Sequence, residues 1–273
     1  MARAIGLTVT GMDLELTGRT ALITGADSGI GLATARQLIA EGVRVAITDQ
    51  DPERLGAAAA ELGDVVAVAA DLTVAAEVAH LHSQVTADLG SPDILVHAAG
   101  ITGAQGLFHE IDEDGWQKTF DTDFFSAVRV VRAFVGPMRE RGWGRIVLLA
   151  SEDAVQPYVE ELPYCAAKAA VVTLAKGLSK TYGPDGVLVN TVSPAFIATP
   201  MTDAMMKQRA QENGTSFDEA VSSFLDEERP GMALKRRGEA GEVASVITFL
   251  CSERASFVNG SNYRVDSGSV LTV

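Results

Sequence analysis

Cysteine, aromatic residues and long apolar runs are all scarce in this chain. Of its 273 residues, two are cysteines, Cys165 and Cys251, and 6% are aromatic. A chain of this length buries enough surface on folding to need no disulfide, so a disulfide-rich secreted scaffold is excluded and a reducing, cytoplasmic location is predicted. The sequence contains no run of about 18 apolar residues and no signal peptide, which predicts that the protein does not bind membranes.

Positive charge is scarce as well. Lysine and arginine together number 22 against 36 acidic residues, which gives a net charge of −14 and a pI of about 4.7. An acidic chain repels the phosphates of nucleic acids and of anionic lipids, so we predict neither as a partner. His80 and His82 lie two residues apart on a predicted helix and His109 is isolated, so no metal site is predicted.

Short β-rich runs alternate with helix-length segments along the chain. Several of the runs are apolar throughout, as in strands that are covered on both faces. The alternation predicts an α/β fold with a doubly wound sheet of about seven mostly parallel strands, flanked by helices in a single domain. The strands are predicted at 20–24, 43–48, 65–70, 93–98, 145–150, 187–192 and 262–265, and the helices at 29–41, 73–89, 115–140, 163–182 and 241–252.

Two segments fall outside this alternation. Residues 1–17 are predicted to form a short, loosely held N-terminal leader, and residues 18–273 the domain. Within the domain, residues 200–235 are the one long insertion and have helical periodicity. We interpret the insertion as a lid over the substrate rather than as a surface ornament or a subunit contact.

A glycine-rich turn follows the first predicted strand. The sequence TGADSGIG places Gly25, Gly29 and Gly31 between that strand and the first helix. Glycines allow the backbone to turn sharply and to approach a pyrophosphate, whose charge then meets the N-terminus of the helix. Because the turn lies within a strand–helix–strand unit, it predicts a dinucleotide site.

Asp49 ends the second predicted strand, at the place where a carboxylate can accept both ribose hydroxyls of NAD and repel the extra phosphate of NADP. Asp27, inside the glycine turn, adds negative charge, whereas Arg54 is the counter-argument. We therefore predict NAD rather than NADP, with helix capping as the alternative role of Asp49. Asp71, at the end of the third strand, could contact the adenine or cap the next helix, and the residues alone leave both roles open.

Ser151, Tyr164 and Lys168 are the predicted catalytic residues. Tyr164 and Lys168 lie four apart on a predicted helix and therefore share a face. The ammonium of Lys168, together with a positively charged nicotinamide, is expected to lower the pKa of the Tyr164 phenol, which is near 10 when free. Tyr164 could then exchange a proton with an alcohol or a ketone at neutral pH, while Ser151 orients the substrate oxygen.

In combination, these motifs resemble the classical subgroup of the short-chain dehydrogenases/reductases, from about residue 18 to residue 268. The resemblance also includes HAAG at 97–100, VNTVSPAFIATPM at 189–201 and the ending NGSNYRVDSGS. It implies a Rossmann-type fold, a homotetramer, an adenine contact for Asp71, a ribose contact for Lys168, and a carboxamide contact for Ile197 and Thr199. The cofactor-binding residues expected on this basis are Gly25, Asp27, Ser28, Gly29, Ile30, Gly31, Asp49, Asp71, Leu72, Ala99, Gly100, Tyr164, Lys168, Pro194, Ile197 and Thr199.

The chain departs from the family pattern at three positions. His97 and Ala98 stand where the family has two asparagines, and we interpret His97 as a structural replacement that makes its own bracing hydrogen bonds. Asp123 stands where the family has a fourth catalytic residue, an asparagine. We include Asp123 among the catalytic residues and hypothesise that it preserves the proton relay and shifts its pH optimum through Lys168. Ala195 replaces a common glycine, and we attach no mechanism to this change.

The predicted function is NAD(H)-dependent interconversion of a secondary alcohol and a ketone. The alternatives are an NADPH-dependent 3-oxoacyl reductase of fatty-acid or polyketide type and a non-catalytic nucleotide-sensing protein. Glu152 and Asp153 could line the mouth of the pocket and favour a polar or cationic substrate, but we expect them to lie in a solvated loop.

Overall fold

The computed structural model describes residues 12–272. Seven parallel strands form one sheet in the order β3-β2-β1-β4-β5-β6-β9. They are β1 (Thr20–Thr24), β2 (Arg44–Thr48), β3 (Val66–Ala67), β4 (Ile94–His97), β5 (Gly144–Leu149), β6 (Val187–Pro194) and β9 (Asn262–Val265). A separate parallel pair consists of β7 (Ile197–Ala198) and β8 (Gly238–Glu239). The predicted doubly wound α/β sheet of about seven strands is confirmed.

Helices cover both faces of the sheet. They are α1 (Gly29–Ala40), α2 (Pro52–Leu62), α3 (Ala75–Asp88), α4 (Glu113–Phe120), α5 (Ser126–Glu140), α6 (Leu162–Tyr182), α7 (Pro200–Asn213), α8 (Phe217–Glu227) and α9 (Ala240–Cys251). One apolar core joins α1, α2 and α9 to the sheet, and a second joins α3, α5 and α6 to the opposite face. The central strands β1, β4, β5 and β6 are rich in apolar residues because both of their faces are buried in this way.

The predicted helix at 115–140 is interrupted. A π-helical turn, Asp121–Phe125, separates α4 from α5. Such turns insert one residue into an α-helix and so change the direction of the side chains that they carry. This turn carries Asp123, which is buried.

The insertion at 200–235 consists of α7, α8 and a connecting segment, as its periodicity predicts. Phe196, Met206, Phe224, Leu225 and Met232 form a small apolar core of their own beneath it. Whether the insertion opens and closes as a lid stays a prediction.

The predicted leader falls mostly on residues 1–11, which lie outside the described residues. Residues 12–17, the described part of the leader, contact the domain. Leu16 is buried in the core below α1 and α9, and the Arg254 side chain pairs with Glu15 at 2.7 Å. No helix in the stretch 12–272 combines the length and the apolar character that crossing a membrane requires.

Candidate active site

A cleft of about 1310 Å³ opens at the carboxyl ends of the strands. It lies where β1 and β4 are neighbours, so that the chain leaves the two strands in opposite directions across the sheet. Ligands of doubly wound sheets bind at such a point because the loops that follow the two strands separate there. Every residue that the sequence predicts for catalysis or for cofactor binding lines this cleft, although their roles stay predictions.

The glycine turn at one end of the cleft has no room for side chains. A Cβ at Gly31 would lie 2.1 Å from the carbonyl oxygen of Gly25, and a Cβ at Gly25 would lie 2.6 Å from the amide nitrogen of Ala99. Gly25 and Gly29 also have φ values of +63° and +55°, which favour glycine. The turn is followed directly by α1, whose first amides face the cleft without a side-chain cap. A bare backbone turn at a helix N-terminus fits a pyrophosphate group.

Asp49 follows β2 and lines the cleft beside Asp27. Burial, and then the neighbouring Asp27 carboxylate, raise the pKa of Asp49. Asp51, not Asp49, caps α2, because its Oδ1 accepts hydrogen bonds from the amides of Glu53 and Arg54. The alternative role of Asp49 as a helix cap is therefore not realised.

Arg54 lies across the cleft edge. Its Nη2 is 2.9 Å from Asp27 Oδ2 and 3.2 Å from Ser28 Oγ, while more than half of its side chain is exposed. Asp27 thus offsets the charge of Arg54, which could otherwise attract an extra phosphate near Asp49.

Asp71 Oδ1 accepts hydrogen bonds from the amide and the hydroxyl of Thr73, at 2.8 and 2.7 Å. The next helix, α3, begins only at Ala75, with Val74 as its N-cap residue. Asp71 therefore stabilises a turn rather than capping that helix, and it remains a lining residue of the cleft.

Tyr164, Lys168 and Asp123 form the other end of the cleft. Lys168 Nζ lies 5.4 Å from the centre of the Tyr164 ring, 3.2 Å from Asp123 Oδ1 and 3.3 Å from the carbonyl oxygen of Leu149. Asp123 Oδ1 also accepts a hydrogen bond from the amide of Ile101. Lys168 and Asp123 thus form a buried ion pair next to the tyrosine.

Gly100 makes room for this ion pair. A Cβ at that position would lie 2.6 Å from Asp123 Oδ1 and 3.2 Å from Lys168 Nζ. The glycine of the HAAG motif is therefore required for packing, in addition to any contact with a cofactor.

The groups of the protein itself raise the pKa of Tyr164 well above 10, so Lys168 does not lower it without the positively charged nicotinamide. Burial is the largest cause, followed by the negative charges of Asp153 and Asp123. Asp123 offsets the positive charge of Lys168, so the protein alone keeps Tyr164 protonated. A positive charge supplied by a bound ligand would act in the opposite direction.

His97, at the end of β4, is fully enclosed. Its Nδ1 lies 3.0 Å from Thr24 Oγ1 and its Nε2 lies 3.1 Å from Ser126 Oγ. Burial, and then the charge of Lys168, lower the pKa of His97 to about 3, so the ring is neutral and acts as a brace between strands and helix. This geometry agrees with the structural interpretation of His97.

Glu152 and Asp153 are buried, so the expectation of a solvated loop is wrong. Glu152 Oε1 lies 3.2 Å from Arg229 Nε, and Arg229 Nη2 lies 3.7 Å from Glu161 Oε2. The guanidinium of Arg229 also stacks on the Tyr158 ring at 3.4 Å. Arg229 belongs to the segment after α8, so the helical insertion supplies the cation that pairs with the buried Glu152 and with Glu161.

Sequence reasoning missed Arg229 and Glu161. Neither lies in a motif, and one lone arginine 77 residues away from Glu152 (229 − 152) leaves no pattern that a single sequence can reveal. The only signal was the pair Glu152–Asp153 directly after a buried strand, where two adjacent carboxylates need a partner if they are enclosed.

Comparison with known proteins identifies the relatives of this chain. A family model described as enoyl-(acyl carrier protein) reductase matches residues 25–270. The 2-dehydro-3-deoxy-L-rhamnonate dehydrogenase (NAD(+)) of Sphingomonas is 33% identical over 92% of this chain and 95% of its own. The 3-oxoacyl-[acyl-carrier-protein] reductase of Haemophilus influenzae is 32% identical over 94% of this chain and 100% of its own.

A similar protein of known structure is also an oxidoreductase. The L-sorbose reductase of Gluconobacter frateurii, in complex with NADPH and L-sorbose, is 34% identical, with a TM-score of 0.91 over 96% of this chain and 100% of that one. The matched length, the sheet order and the residues gathered in the cleft therefore place this chain in the short-chain dehydrogenase/reductase family, and it is an oxidoreductase of that type.

Proposed function

We propose that the protein interconverts a secondary alcohol and a ketone with NAD(H), using Tyr164 as the acid/base. The observation that supports this most is the joint lining of one cleft by Asp49 at one end and by Ser151, Tyr164 and Lys168 at the other. A dinucleotide that lies along this cleft brings its nicotinamide to the tyrosine and its adenosine ribose to Asp49.

The chemistry of the site follows from its hydroxyl groups. A bound nicotinamide supplies the acceptor or donor of the hydride. In oxidation, the Tyr164 oxygen takes the proton of the substrate O–H as the C–H bond breaks; in reduction, Tyr164 returns that proton to the new alcohol. Lys168 and Asp123 hold the tyrosine in place and set the charge around it.

A Tyr164→Phe variant tests the proposed chemistry. The substitution removes one hydroxyl and leaves the glycine turn and Asp49 untouched. We expect NADH binding within a factor of three of wild type and turnover reduced on the order of 10²–10⁴-fold. A variant that keeps full activity overturns the proposed role of Tyr164. A wild-type protein that binds NADH but turns over no member of a broad alcohol and ketone panel supports a non-catalytic, nucleotide-sensing protein instead.

NAD is favoured over NADP because Asp49 and Asp27 both carry negative charge near the place that the extra phosphate would occupy. We expect a kcat/KM at least tenfold higher with NADH than with NADPH, and Asp49→Asn should reduce that ratio. Asp51→Asn is a matched control, since an asparagine still caps α2 and removes a charge only two residues away.

A second candidate is an NADPH-dependent 3-oxoacyl reductase. Arg54 favours it, because a guanidinium at the cleft edge could leave Asp27 and bind a phosphate. The Haemophilus relative has such a substrate in its name. A preference for NADPH that is lost in Arg54→Ala would support this candidate.

We also infer that the protein acts as a homotetramer in the cytoplasm, with a small molecule as its substrate. The Phe257 side chain is fully exposed and Leu271 is 84% exposed, and exposed apolar side chains of this size favour a subunit interface. Light scattering coupled to size exclusion tests the tetramer, and a mass equal to that of one chain contradicts it.

A further inference from the structure

A small chamber of about 80 Å³ opens beside the Tyr164 hydroxyl and shares Ser151 and Tyr164 with the main cleft. The two hydroxyl groups contact each other, which suits a pair that holds one substrate oxygen between them. The chamber has room for a group of several heavy atoms. A group that fills it is attached to the substrate close to the reacting carbon.

The walls of this chamber carry an excess of negative charge. Glu152, Asp153 and Glu161 line it, and Arg229 is the only lysine or arginine within residues 12–272 that does so. Burial, and then the charge of Asp153, raise the pKa of Glu161 to about 7, so these two neighbouring carboxyl groups share at most one proton near neutral pH. Even with that proton, the three carboxyl groups carry two negative charges against the single positive charge of Arg229.

The charge of Asp153 in particular has no ion-pair partner. Arg229 pairs with Glu152 at 3.2 Å and with Glu161 at 3.7 Å, and no lysine or arginine of the described residues pairs with Asp153. Asp153 is only 5% exposed. Its Oδ1 accepts a hydrogen bond from the Ser151 hydroxyl at 3.0 Å, which satisfies that oxygen without supplying a positive charge. A buried carboxylate without a cation is costly, and a cationic ligand would remove that cost.

Glu152 Oε2 is a second, separate sign of a missing ligand. The residue is 1% exposed, and Oε2 has no hydrogen bond of regular geometry, although the Ser269 hydroxyl lies close to this carboxylate. An unsatisfied acceptor and an unpaired charge therefore line the same small space. Buried acceptors without donors favour a ligand that brings hydrogens, and an alkylammonium brings three of them together with a positive charge.

We propose that the substrate carries a primary ammonium group on the carbon next to the carbinol, as in a 1,2-amino alcohol or the corresponding amino ketone, and that Asp153 and Glu161 bind this group. An ammonium at that place lies about one hydrogen-bond length from the reacting oxygen, and Asp153 Oδ1 lies a similar distance from Ser151 Oγ. The inference rests on the proposed function, because it places the reacting oxygen between Ser151 and Tyr164. Hydride still passes from the carbinol carbon to NAD⁺ and the hydroxyl proton to Tyr164, while the C–N bond stays intact.

Two sets of matched alcohols test the proposal, each with an ammonium, methyl, hydroxyl or carboxylate group at one place. The first set is 1-amino-2-propanol, 2-butanol, 1,2-propanediol and 3-hydroxybutyrate. The second is 2-amino-1-phenylethanol, 1-phenyl-1-propanol, 1-phenyl-1,2-ethanediol and 3-hydroxy-3-phenylpropanoate. The ammonium withdraws electrons from the carbinol and disfavours hydride loss, so a preference for the amine must come from the protein.

The assay is NADH formation at pH 7.5, where aliphatic amines are protonated. We expect kcat/KM for the amino alcohol to exceed that for the methyl and hydroxyl members at least tenfold in at least one set. The carboxylate member should be at least a hundredfold poorer than the amine, because the same charges repel it.

Two isosteric variants remove the charges that we assign to ammonium binding. Glu161→Gln keeps an acceptor for the Gln105 amide, which donates to Glu161 Oε1 at 3.3 Å, and Asp153→Asn keeps an acceptor for Ser151. We expect the ratio of kcat/KM between the amino and methyl members to fall at least fivefold in each. Glu160→Gln removes an exposed charge from the same segment and should leave the ratio within twofold of wild type. A merely structural role would lower all rates alike and leave the ratio unchanged.

The outcomes separate this inference from the proposed function. Oxidation of the alcohols with less than a tenfold preference for the amine in both sets overturns the inference and leaves the proposed function standing. A diol or a hydroxy acid oxidised as well as the amine does the same. A strong preference for the amine that survives in both variants overturns the role of Asp153 and Glu161. Oxidation of none of the eight alcohols overturns the inference, and the broad alcohol and ketone panel then decides the proposed function.

Discussion

Replacing Asp123 by asparagine should shift the pH dependence of alcohol oxidation to lower pH. Asp123 is 1% exposed and its Oδ1 lies 3.2 Å from Lys168 Nζ, so the carboxylate offsets the ammonium next to Tyr164. Burial raises the pKa of Asp123, and the charge of Lys168 is the largest opposing cause. Asparagine keeps the shape and the acceptor for the amide of Ile101, but it removes the charge.

The size of the shift can be worked from the distance between Lys168 and Tyr164. A unit charge on Lys168, 5.4 Å from the Tyr164 ring centre, stabilises a phenolate by about 3 kcal/mol at an effective dielectric constant of about 20. That energy corresponds to about two pKa units. In the wild type, the carboxylate of Asp123 cancels a large part of this attraction, so its removal should lower the pKa of Tyr164 by about one unit.

The sign follows from the proposed role of Tyr164 as a base. Oxidation needs the phenolate, so kcat/KM rises with pH through the pKa of Tyr164, and a lower pKa moves that rise to lower pH. The assay is kcat/KM for an alcohol at saturating NAD⁺ between pH 6 and pH 10, for wild type and Asp123→Asn.

Asp121→Asn is the control for the pH profile, because Asp121 lies in the same π-helical turn but pairs with Arg129 at the surface. Equal half-maximal pH values for wild type and Asp123→Asn, with NADH binding retained in both, would refute the reasoning. The charge of Asp123 would then not reach Tyr164.

Three further predictions concern binding and stability. Gly31→Ala should weaken NADH binding more than tenfold in a fluorescence titration, because a Cβ there overlaps the carbonyl of Gly25; unchanged binding would contradict the site. The folded pKa of His97 is about 3, below its unfolded value, so protons bind the unfolded chain preferentially and stability falls as pH drops below about 6.5. His97→Asn should remove about 2 kcal/mol of the loss in unfolding free energy between pH 6.5 and pH 4.5 in urea titrations, and an unchanged slope would count against it. Arg229→Met should lower the unfolding free energy at pH 7 by about 3 kcal/mol, because it leaves Glu152 buried without its cation; the loss should shrink at pH 5.5 as Glu152 protonates, and a loss that does not depend on pH would point to packing alone.

The features that the sequence predicted correctly all depend on patterns within one or two neighbouring elements. The bare turn around Gly25 and Gly31 is visible because a tight backbone approach tolerates no other residue type. The shared face of Tyr164 and Lys168 follows from helical spacing alone. The apolar strands are visible because both faces of the sheet are covered, which removes polar residues from whole segments.

What the sequence did not reveal concerns charged groups that lie close together in the fold but far apart in the chain. The pKa of Tyr164 was expected to fall through Lys168 together with a positively charged nicotinamide. Within the protein, Asp123 from the π-helical turn offsets the charge of that lysine. Glu152 and Asp153 were expected in solvent because adjacent carboxylates are costly to bury. Arg229, from the insertion, pairs with Glu152 and makes the burial of that carboxylate possible.

The sequence by itself therefore determined the fold class, the nucleotide turn and the tyrosine–lysine pair, since each depends on residues within one or two elements. Only the tertiary structure decided the charges around Tyr164 and the enclosure of the acidic segment. Electrostatic energies depend on distance and burial in space, and the groups that set them here, Asp123, Asp153 and Arg229, come from three separate parts of the chain.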